Sequence, residues 1–461
     1  MTINHSLLDE FLSKNHLAER EINKSNMPSV TDLELRKSTG SFYTPHDVTN
    51  FVWQVVLDEI EGQTIACKLK HLINNYDVIE PSNGAGAFIF SYLRLLLKNN
   101  ILGDWLRSPQ HIHVNDVNSI AVSDFSAKIN ALNLSEKFIH SNLDGRIFLE
   151  QIKTNLKPLI IGNPPYFKQV SDLDEGKNPD IYGDFVCRAL NTISKQSGIA
   201  SLLVPLSLTF SKNFTYLRKQ VIDADMSKKI VNFDNMPDYV FKQGKSDSIN
   251  TNKAISQRIS LLTLNSNKKH ELRSTELISW KTEDRAMVFS TPKTLFETKP
   301  IGRHAVLPKP FYQRQVKQLC GDKKLQDYVL NSKVDQNQKI YFGTTARNFL
   351  SVGLCEFRST GISAVAVETA ALKKALFYFL ASRQALVHWK AIGDGFHVTK
   401  ENLLLMPIPK KLLHEVDYFA DLGDKLWRQR RKFMGRKINF GKENLYFNFV
   451  GATEFCESLG Q

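Results

Sequence analysis

Asn163 and the Pro-Pro-Tyr segment that follows it, Pro164 to Tyr166, have the clearest potential for chemistry. They follow a short apolar run, and two consecutive prolines fix φ and prevent a helix, so a strand is expected to end there. The amide oxygen of Asn163 and the carbonyl oxygen of Pro164 can both accept hydrogen bonds from one planar amino group. Drawing both hydrogens of such a group out of its ring plane makes the nitrogen a better nucleophile. The Tyr166 ring offers a flat face on which a base can stack.

An ordinary turn is the alternative interpretation of these four residues, because Asn-Pro pairs mark turns in many proteins. A second segment, Tyr76 to Phe90, strengthens the functional interpretation, since it is typical of a strand, a glycine turn and a helix. Gly84 and Gly86 would let the backbone approach a ligand closely, although the third glycine of the dinucleotide fingerprint is missing. The next expected strand ends at Asp116, where an acidic residue can hold a ribose diol. Helix capping or a turn is the alternative role of Asp116.

Four segments, taken in order, resemble the gamma class of N6-adenine DNA methyltransferases. They are Phe42 to Pro45, Glu80 to Phe88, Asp116, and Asn163 to Tyr166. The specificity of the resemblance lies in their combined order rather than in any single segment. The resemblance implies S-adenosylmethionine as the cofactor, a flipped adenine of double-stranded DNA as the substrate, and a target-recognition domain at the end of the chain.

The resemblance also implies roles for individual residues. Thr44 would contact the methionine end of the cofactor, Glu80 and Gly84 its amino acid portion, and Asp116 its ribose. The full set of implied cofactor residues is Tyr43, Thr44, Glu80, Gly84, Gly86, Phe88, Asp116 and Asn142. The implied catalytic residues, which accept from the target amine or stack on the base, are Asn163, Pro164, Pro165, Tyr166 and Phe241.

Two positions depart from the pattern of the family. Asn142 stands where the family usually has an acidic residue that contacts the adenine amino group of the cofactor. Its amide oxygen can accept a hydrogen bond but carries no charge, and Asp144 is the alternative contact. Pro158 stands where an aspartate is common, and proline is tolerated at the start of a strand, so little consequence is expected.

The balance of charge favours a polyanionic partner. The 461 residues carry 60 Lys and Arg against 47 Asp and Glu, which gives a net charge of +13 and a sequence pI near 9.3. A basic run near the C-terminus includes Arg428, Arg430 and Arg431, which are the candidate contacts to DNA phosphates. A solvated helix face is the alternative interpretation of this run.

Other features of the composition exclude whole classes of protein. The N-terminal residues lack the apolar core of a signal peptide, and the chain has no stretch of about eighteen apolar residues, so no membrane association is expected. The five cysteines are scattered and indicate neither a disulfide framework nor a structural metal. A reducing, cytoplasmic location of bacterial or phage type is expected. Methylation of carbon 5 of cytosine would require a nucleophilic cysteine in a Pro-Cys pair, and no such pair occurs.

Strands that alternate with helices predict an α/β fold, with a Rossmann-like methyltransferase sheet covered by helices on both faces and a mixed α+β C-terminal target-recognition domain. The expected domains are an N-terminal helical arm at 1–34, a methyltransferase domain at 35–268 and a DNA target-recognition domain at 269–461. Helices are expected at 48–60, 181–193 and 371–379, strands at 112–116, 159–162, 199–204, 230–233, 259–264 and 403–406, and polar loops at 170–180 and 244–253.

Three classes of function stay open on the sequence. The first is a site-specific DNA adenine methyltransferase, either the modification component of a restriction-modification or related defence system or an orphan regulatory enzyme. The second is a protein glutamine N5-methyltransferase, since Asn-Pro-Pro-Tyr also occurs there, although such chains lack the early Tyr-Thr-Pro element and a large basic C-terminal domain. The third is a catalytically inactive DNA-binding module, which the intact turns disfavour. The residues before the core are too few for a nuclease domain, so any restriction endonuclease is expected to be a separate protein.

Overall fold

The structure is a computed structural model that describes residues 44–167, 180–235, 238–241, 257–278, 280–290, 323–330, 336–346, 350–357, 361–382, 385–386, 389 and 397–434. The predicted arm at 1–34 and almost all of the two predicted polar loops lie outside these residues. The chain divides into two compact units, residues 1–208 with 212–302 and residues 209–211 with 303–461.

The first unit is built on one large sheet, whose strands in the described residues follow the order β3-β2-β1-β4-β5-β7-β6-β8. The strands are β1 (Tyr76–Glu80), β2 (Ile112–Asn115), β3 (Phe138–Ser141), β4 (Lys157–Gly162), β5 (Ile199–Pro205), β6 (Ser227–Phe233), β7 (Ile259–Asn265) and β8 (Glu271–Ile278). β7 pairs antiparallel with β5 and β6, and the remaining pairs of this sheet are parallel. The prediction of a mainly parallel sheet is therefore confirmed.

Helices connect these strands and cover the sheet. They are α1 (His46–Glu59), α2 (Ile65–Asn75), α3 (Ala87–Lys98), α4 (Leu102–Arg107), α5 (Ser119–Ala131), α6 (Gly145–Gln151), α7 (Ile181–Gln196), α8 (Ser207–Phe210), α9 (Thr215–Asp223) and α10 (Arg285–Val288). Short 3-10 turns lie at Ser135–Lys137, Lys212–Phe214 and Thr282–Asp284. The helices predicted at 48–60 and 181–193 are confirmed as α1 and α7.

Buried apolar side chains fill both faces of the sheet. Along β4, Leu159 and Ile161 belong to a cluster that also contains side chains of α1 and α3. Ile160, between them, belongs to a separate cluster with side chains of α6, α7 and α9. This alternation is the period-two pattern of a strand that is covered on both sides. The predicted α/β class with helices on both faces is confirmed.

Helix α1 packs closely against α3. Trp53 is fully buried, its Nε1 donates to the carbonyl oxygen of Phe88 at 2.8 Å, and its ring stacks on Tyr92 with centroids 4.6 Å apart. Stacked aromatic pairs at this separation contribute beyond the area that they bury. The segment that carries Thr44 therefore enters the unit through a fixed helix.

The second unit contains a small antiparallel sheet and helices. Its described strands are β9 (Lys339–Gly343), β10 (Val352–Gly353) and β11 (Ile362–Ala366), in the order β10-β9-β11. Its described helices are α11 (Ala370–Leu380), α12 (Lys400–Leu404), α13 (Lys410–His414) and α14 (Val416–Met434), with 3-10 turns at Leu325–Tyr328 and Gln336–Gln338. The helix predicted at 371–379 is confirmed as α11.

The strand predicted at 403–406 is wrong. Leu403 and Leu404 end helix α12, whose N-terminus is capped by Thr399, because the Thr399 side chain accepts from the backbone N–H of Asn402. Leu403 and Met406 are nevertheless buried in the core of this unit. A short apolar run that ends at a proline fits either a strand or a buried helix end, and here the threonine cap decides for the helix.

The sheet of the first unit extends beyond residue 268, where the predicted DNA target-recognition domain begins. Strand β8 pairs in parallel with β6 and so belongs to the first unit.

Candidate active site

Three of the sequence-predicted residues lie at one edge of the large sheet because of its topology. β1 pairs in parallel with both β2 and β4, so the carboxyl ends of these three strands lie side by side. Glu80 ends β1, Asp116 follows β2, and Asn163 follows β4. This edge is where open parallel sheets bind their ligands.

Asn163 has both ends of its side chain engaged. Its Nδ2 donates to Thr44 Oγ1 at 3.2 Å, and its Oδ1 accepts from the hydroxyl of Tyr166. Its backbone carbonyl accepts from Ser82 Oγ at 3.2 Å. These contacts bring the loop after β1, the turn after β4 and the residue before α1 to one point. Because Thr44 engages the amide nitrogen, Oδ1 is the end directed toward Tyr166.

Two prolines follow Asn163 in the turn. Pro164 is buried and Pro165 is partly buried, and neither lies in a helix, as the sequence predicts. The strand before them ends at Gly162, as expected. The turn therefore presents Asn163 at the end of a strand rather than on a helix.

Tyr166 and Phe241, the predicted stacking pair, lie next to each other. Their ring centroids are 6.4 Å apart and the ring planes are inclined by 46°. A base between two parallel rings needs a separation of roughly 7 Å, twice the contact distance between carbon atoms. In this structure the two rings contact one another, so the stacking role stays a prediction and requires the rings to separate and turn.

The hydroxyl of Tyr166 points into the protein. It contacts Asn163 Oδ1 and lies 3.0 Å from the carbonyl oxygen of Leu203 on β5. Burial raises the pKa of Tyr166 well above the usual value of a tyrosine, so the hydroxyl stays a neutral donor. The ring also meets Tyr182 of α7 edge-on, with centroids 6.3 Å apart.

The two glycines of the glycine turn have different reasons for being glycine. Gly84 has φ +51°, and a Cβ there would meet no atom of the described residues within 4 Å. Gly86 has φ +83°, and its Cβ would lie 2.3 Å from the ring of Phe125. Gly84 therefore faces open space that a ligand could fill, whereas Gly86 is required by close packing on α5.

Asp116 organises the loops around the glycine turn. Its Oδ2 accepts from the backbone N–H of Gly84 at 2.7 Å and its Oδ1 from that of Asn118 at 2.9 Å. Asn118 in turn caps α5 by accepting from Ile120. Asp116 thus performs the turn role that the sequence left open as an alternative. Its predicted contact with a ribose stays a prediction.

Asn142 and Asp144 differ in how far they are already used. The Nδ2 of Asn142 donates to the carbonyl oxygens of Asp116 and Val117, at 2.7 and 3.1 Å, which turns its Oδ1 away from them. Asp144 caps α6 and forms an ion pair with Arg146 at 2.8 Å. Hydrogen bonding to Arg146 holds the pKa of Asp144 below its usual value. Asn142 is therefore the better placed of the two to accept from a cofactor.

Glu80 is the buried carboxylate of the site. It is 1 % exposed, and its Oε2 has no hydrogen-bond partner among the described residues. Burial first, and then the neighbouring charge of Asp116, raise the pKa of Glu80 well above the usual value of a glutamate. An unpartnered buried carboxyl is costly, so this group is suited to a cationic or hydrogen-bonding ligand.

The other predicted residues are Phe88, Tyr43 and three arginines of the basic run. Phe88 is buried in the hydrophobic core of the first unit, and its contact with a cofactor stays a prediction. Arg428 lies in the second unit, where its exposed guanidinium pairs with Asp424 at 2.5 Å. Tyr43 and the side chains of Arg430 and Arg431 lie outside the described residues.

Sequence analysis missed Asn115, which holds two loops of the site together. Its Nδ2 donates to the carbonyl oxygens of Pro81 and Leu143, and its Oδ1 accepts from the N–H of Leu143. Its backbone carbonyl accepts from Asn83. The available signal was a polar residue near the end of an expected strand, directly before Asp116.

The described residues contain neither a metal-binding cluster nor a membrane-spanning helix. No group of three His, Cys, Asp or Glu side chains in this part of the chain is arranged to hold a metal ion. Within the same residues, no helix is both long and apolar enough to cross a membrane.

Comparison with known proteins gives one match to a family model. Residues 84–241 match the family model described as Eco57I restriction-modification methylase. This range begins at the glycine turn and ends at Phe241. A search of curated proteins returned no match.

Several solved structures are similar to part of this chain. One is a complex of DrdV with DNA, at 17 % identity and a TM-score of 0.42, covering 59 % of this chain and 31 % of that one. A second is a nuclease-deletion mutant of the Type ISP restriction-modification enzyme LlaGI in complex with a DNA substrate mimic. It has 14 % identity and a TM-score of 0.47, and the match covers 84 % of this chain and 47 % of that one. A third is the methyltransferase subunit of a type I restriction-modification system from Streptococcus thermophilus. It has 15 % identity and a TM-score of 0.38, and the match covers 59 % of this chain and 57 % of that one. The chain spans less than two thirds of the length of each of these.

Proposed function

We propose that this chain is a site-specific DNA adenine N6-methyltransferase that uses S-adenosylmethionine. The observation that carries the proposal is the meeting of Asn163 with Thr44 and Tyr166 at the end of β4, beside the glycine turn. The methylase match over residues 84–241 supports the same conclusion. A strand-end asparagine followed by Pro-Pro-Tyr suits an amine whose lone pair is conjugated with an aromatic ring.

The residues beside the glycine turn fit the proposed cofactor. Glu80 offers a buried oxygen without a partner in the described residues, and S-adenosylmethionine carries positive charge. Gly84 leaves open space where backbone and ligand can approach closely. Asn142 offers an amide oxygen on the far side of Asp116. When bound, S-adenosylmethionine supplies an electrophilic methyl group.

The protein side chains act by holding the target amine rather than by attacking it. Asn163 Oδ1 and the carbonyl oxygen of Pro164 would accept its two hydrogens, which favours the geometry of a nucleophilic nitrogen. Thr44 keeps the Asn163 amide in the required orientation, since it accepts from Nδ2. Positioning of this kind is sufficient for a direct transfer, and no covalent enzyme nucleophile is needed.

The base must leave the duplex before its amine can reach Asn163. Tyr166 and Phe241 lie next to each other and are the candidates to separate and stack on the base. Double-stranded DNA is thus the proposed partner, and the second unit, with the basic run of α14, is the proposed source of sequence recognition. A role as the modification component of a restriction-modification system, with a separate endonuclease and a cytoplasmic location, is consistent with the methylase match.

Nucleoside analysis tests this proposal directly. The full chain is incubated with methyl-labelled S-adenosylmethionine and unmethylated double-stranded DNA, and the digested DNA is analysed by mass spectrometry. Label in N6-methyladenine is the expected result. Label in N4-methylcytosine or 5-methylcytosine would contradict adenine specificity, and label appearing instead in glutamine of added protein would favour the protein methyltransferase. Modified-base sequencing of the same DNA gives the recognition site.

A further inference from the structure

Arg285, at the start of α10, joins two segments that approach the candidate site from different parts of the chain. Its Nε and Nη2 donate to the two carboxylate oxygens of Asp47, at 2.5 and 3.1 Å. Its Nη1 donates to the carbonyl oxygen of Tyr239 at 2.9 Å, and Nη2 also donates to that of Val240 at 2.8 Å. One guanidinium thus binds a carboxylate and two backbone carbonyls.

The partners of Arg285 are sequence neighbours of the candidate site residues. Asp47 lies in the first turn of α1, three residues after Thr44, whose hydroxyl accepts from Asn163. Val240 directly precedes Phe241, whose ring contacts Tyr166. Arg285 therefore connects the residue that orients the asparagine amide with the residue that flanks the stacking space.

The guanidinium is itself fixed in place. The Arg285 side chain is 14 % exposed and lies over the ring of Phe289, 4.9 Å from its centroid. Phe289 packs edge-on against Phe51 of α1 and, at a smaller ring angle, against Phe233 at the end of β6. A cation held over an aromatic ring and paired with a carboxylate has little freedom to move. Arg285 with its contacts to Asp47, Tyr239 and Val240, here called the clamp, is thus anchored to the sheet.

We infer that Arg285 is a positioning residue for methyl transfer, which holds the start of α1, near Thr44, and the segment 239–241, near Tyr166, in fixed places. The inference rests on the proposed function. Four N–H groups of the planar guanidinium reach three acceptor groups, a geometry that a lysine ammonium does not reproduce. Arg285→Lys therefore keeps the charge and loses the clamp.

Arg285→Lys is compared with Arg188→Lys as a matched control. Arg188 lies on α7, is 12 % exposed and pairs with Glu150 at 2.8 Å. It has no role in the proposed chemistry. The Arg285 variant is expected to lose roughly tenfold to a hundredfold in kcat, since misplacing reacting groups by about 1 Å has effects of this size. Its Kd for S-adenosylmethionine is expected to change less than its kcat, because Asp47 lies near Thr44 but Arg285 makes no contact with Glu80, Gly84 or Asp116 among the described hydrogen bonds. Arg188→Lys is expected to retain the parent kcat.

Two further measurements separate positioning from simple stabilisation. Amide hydrogen exchange is expected to quicken at residues 46–49 and 239–241 in Arg285→Lys and to stay unchanged there in Arg188→Lys. A double variant with Phe241→Ala is expected to lose less rate than the two single losses multiplied together, because Arg285 acts in part through Phe241. An unchanged kcat with a lowered thermal midpoint would overturn the inference. So would amide exchange that quickens uniformly over the chain, or rate losses of the two single variants that simply multiply in the double variant.

Failure of the inference can be told from failure of the proposed function. If the parent chain methylates adenine and Arg285→Lys matches it in kcat, the inference alone is wrong. If the parent chain transfers no methyl group to DNA, the proposed function is wrong and the positioning role goes with it. The exchange measurement needs no activity, and protection that is the same in the parent and Arg285→Lys would refute the clamp itself.

Discussion

The hydroxyl of Tyr166 donates to Oδ1 of Asn163, the atom that is proposed to receive the target amine. In this structure the tyrosine occupies the acceptor that the substrate would use. The same hydroxyl lies 3.0 Å from the carbonyl oxygen of Leu203, so it has a second acceptor available when Asn163 turns to a base. Base entry would thus exchange one donor for another, and no buried acceptor would be left without a partner.

The first prediction concerns this exchange. Tyr166→Phe removes the hydroxyl and keeps the ring, so methyl transfer is expected to stay within a few-fold of the parent, whereas Tyr166→Ala loses stacking worth about 1–3 kcal/mol. Emission of 2-aminopurine at the target position of the DNA reports base flipping. When the protein binds this DNA, the emission is expected to rise with the Phe variant and not with the Ala variant. Equal, large losses of activity in both variants would show that the hydroxyl, rather than the ring, is required.

The second prediction concerns Asn163. Asn163→Ala is expected to fold and bind S-adenosylmethionine while the rate of methyl transfer falls on the order of a hundredfold or more, because the lost acceptor acts mainly in the transition state. Asn74→Ala, an exposed helical asparagine that donates to Lys70, serves as the control and should retain the parent rate. A rate for Asn163→Ala within a few-fold of the parent would contradict the assignment.

Much of the framework could be predicted from short patterns. Tyr76 to Phe90 combines an apolar run, two glycines and an apolar helix, and each part has a strong local preference. The two prolines after Asn163 end β4 where expected. These elements are encoded within fifteen residues, so neighbouring residues suffice to identify them.

The clamp around the site could not be predicted in the same way. Arg285 and Asp47 are 238 residues apart in sequence, and an arginine at the start of a four-residue helix gives no local sign of its partner. The predicted start of a recognition domain at 269 also separated Arg285 from the sheet to which it belongs. The strand predicted at 403–406 failed for a related reason, since an apolar run alone does not distinguish a strand from a capped helix end.

The third prediction separates the two glycines of the glycine turn. Gly84→Ala places a methyl group in open space at a positive φ, at a cost of about 1–2 kcal/mol, and should leave a folded protein whose affinity for S-adenosylmethionine falls tenfold or more, roughly 1.4 kcal/mol. Gly86→Ala meets the Phe125 ring and is expected to lower the thermal midpoint more strongly. Calorimetry and thermal melting measure both effects. Unchanged cofactor affinity in Gly84→Ala would move the cofactor away from this turn.

The fourth prediction concerns pH and Glu80. Burial raises the folded-state pKa of Glu80 well above 4.5, so its contribution to stability is present at low pH and is lost as the pH rises toward that raised pKa. A cationic cofactor favours the ionised carboxylate, so binding is expected to release a proton, and affinity should rise with pH by up to about tenfold per unit. Calorimetry in buffers of different ionisation enthalpy measures the released proton.

Glu80→Gln is expected to abolish this proton release and weaken binding. Glu59→Gln is the matched control. Burial tends to raise the pKa of Glu59, but hydrogen bonds from Lys229 and Lys268 hold it below the usual value. Glu59 is the last residue of α1, at the end of this helix away from Thr44. That variant should lower stability and leave proton release unchanged. Proton release that persists in Glu80→Gln would assign it to another group.

The last prediction concerns which residues hold DNA. The basic run of α14 and beyond has no chemical task at the candidate site, and Arg428 is already paired with Asp424. Replacing Arg430 and Arg431 with Gln is therefore expected to weaken binding to every DNA sequence similarly and to reduce the slope of log K against log salt by roughly two, one for each lost phosphate contact. The control replaces Lys98 and Lys195, which are exposed on α3 and α7, and removes the same charge from the first unit. If both double variants weaken binding equally, net charge rather than this run is responsible. If the Arg variant instead changes the preferred methylation site, the two arginines read bases, and their proposed role as phosphate contacts is wrong.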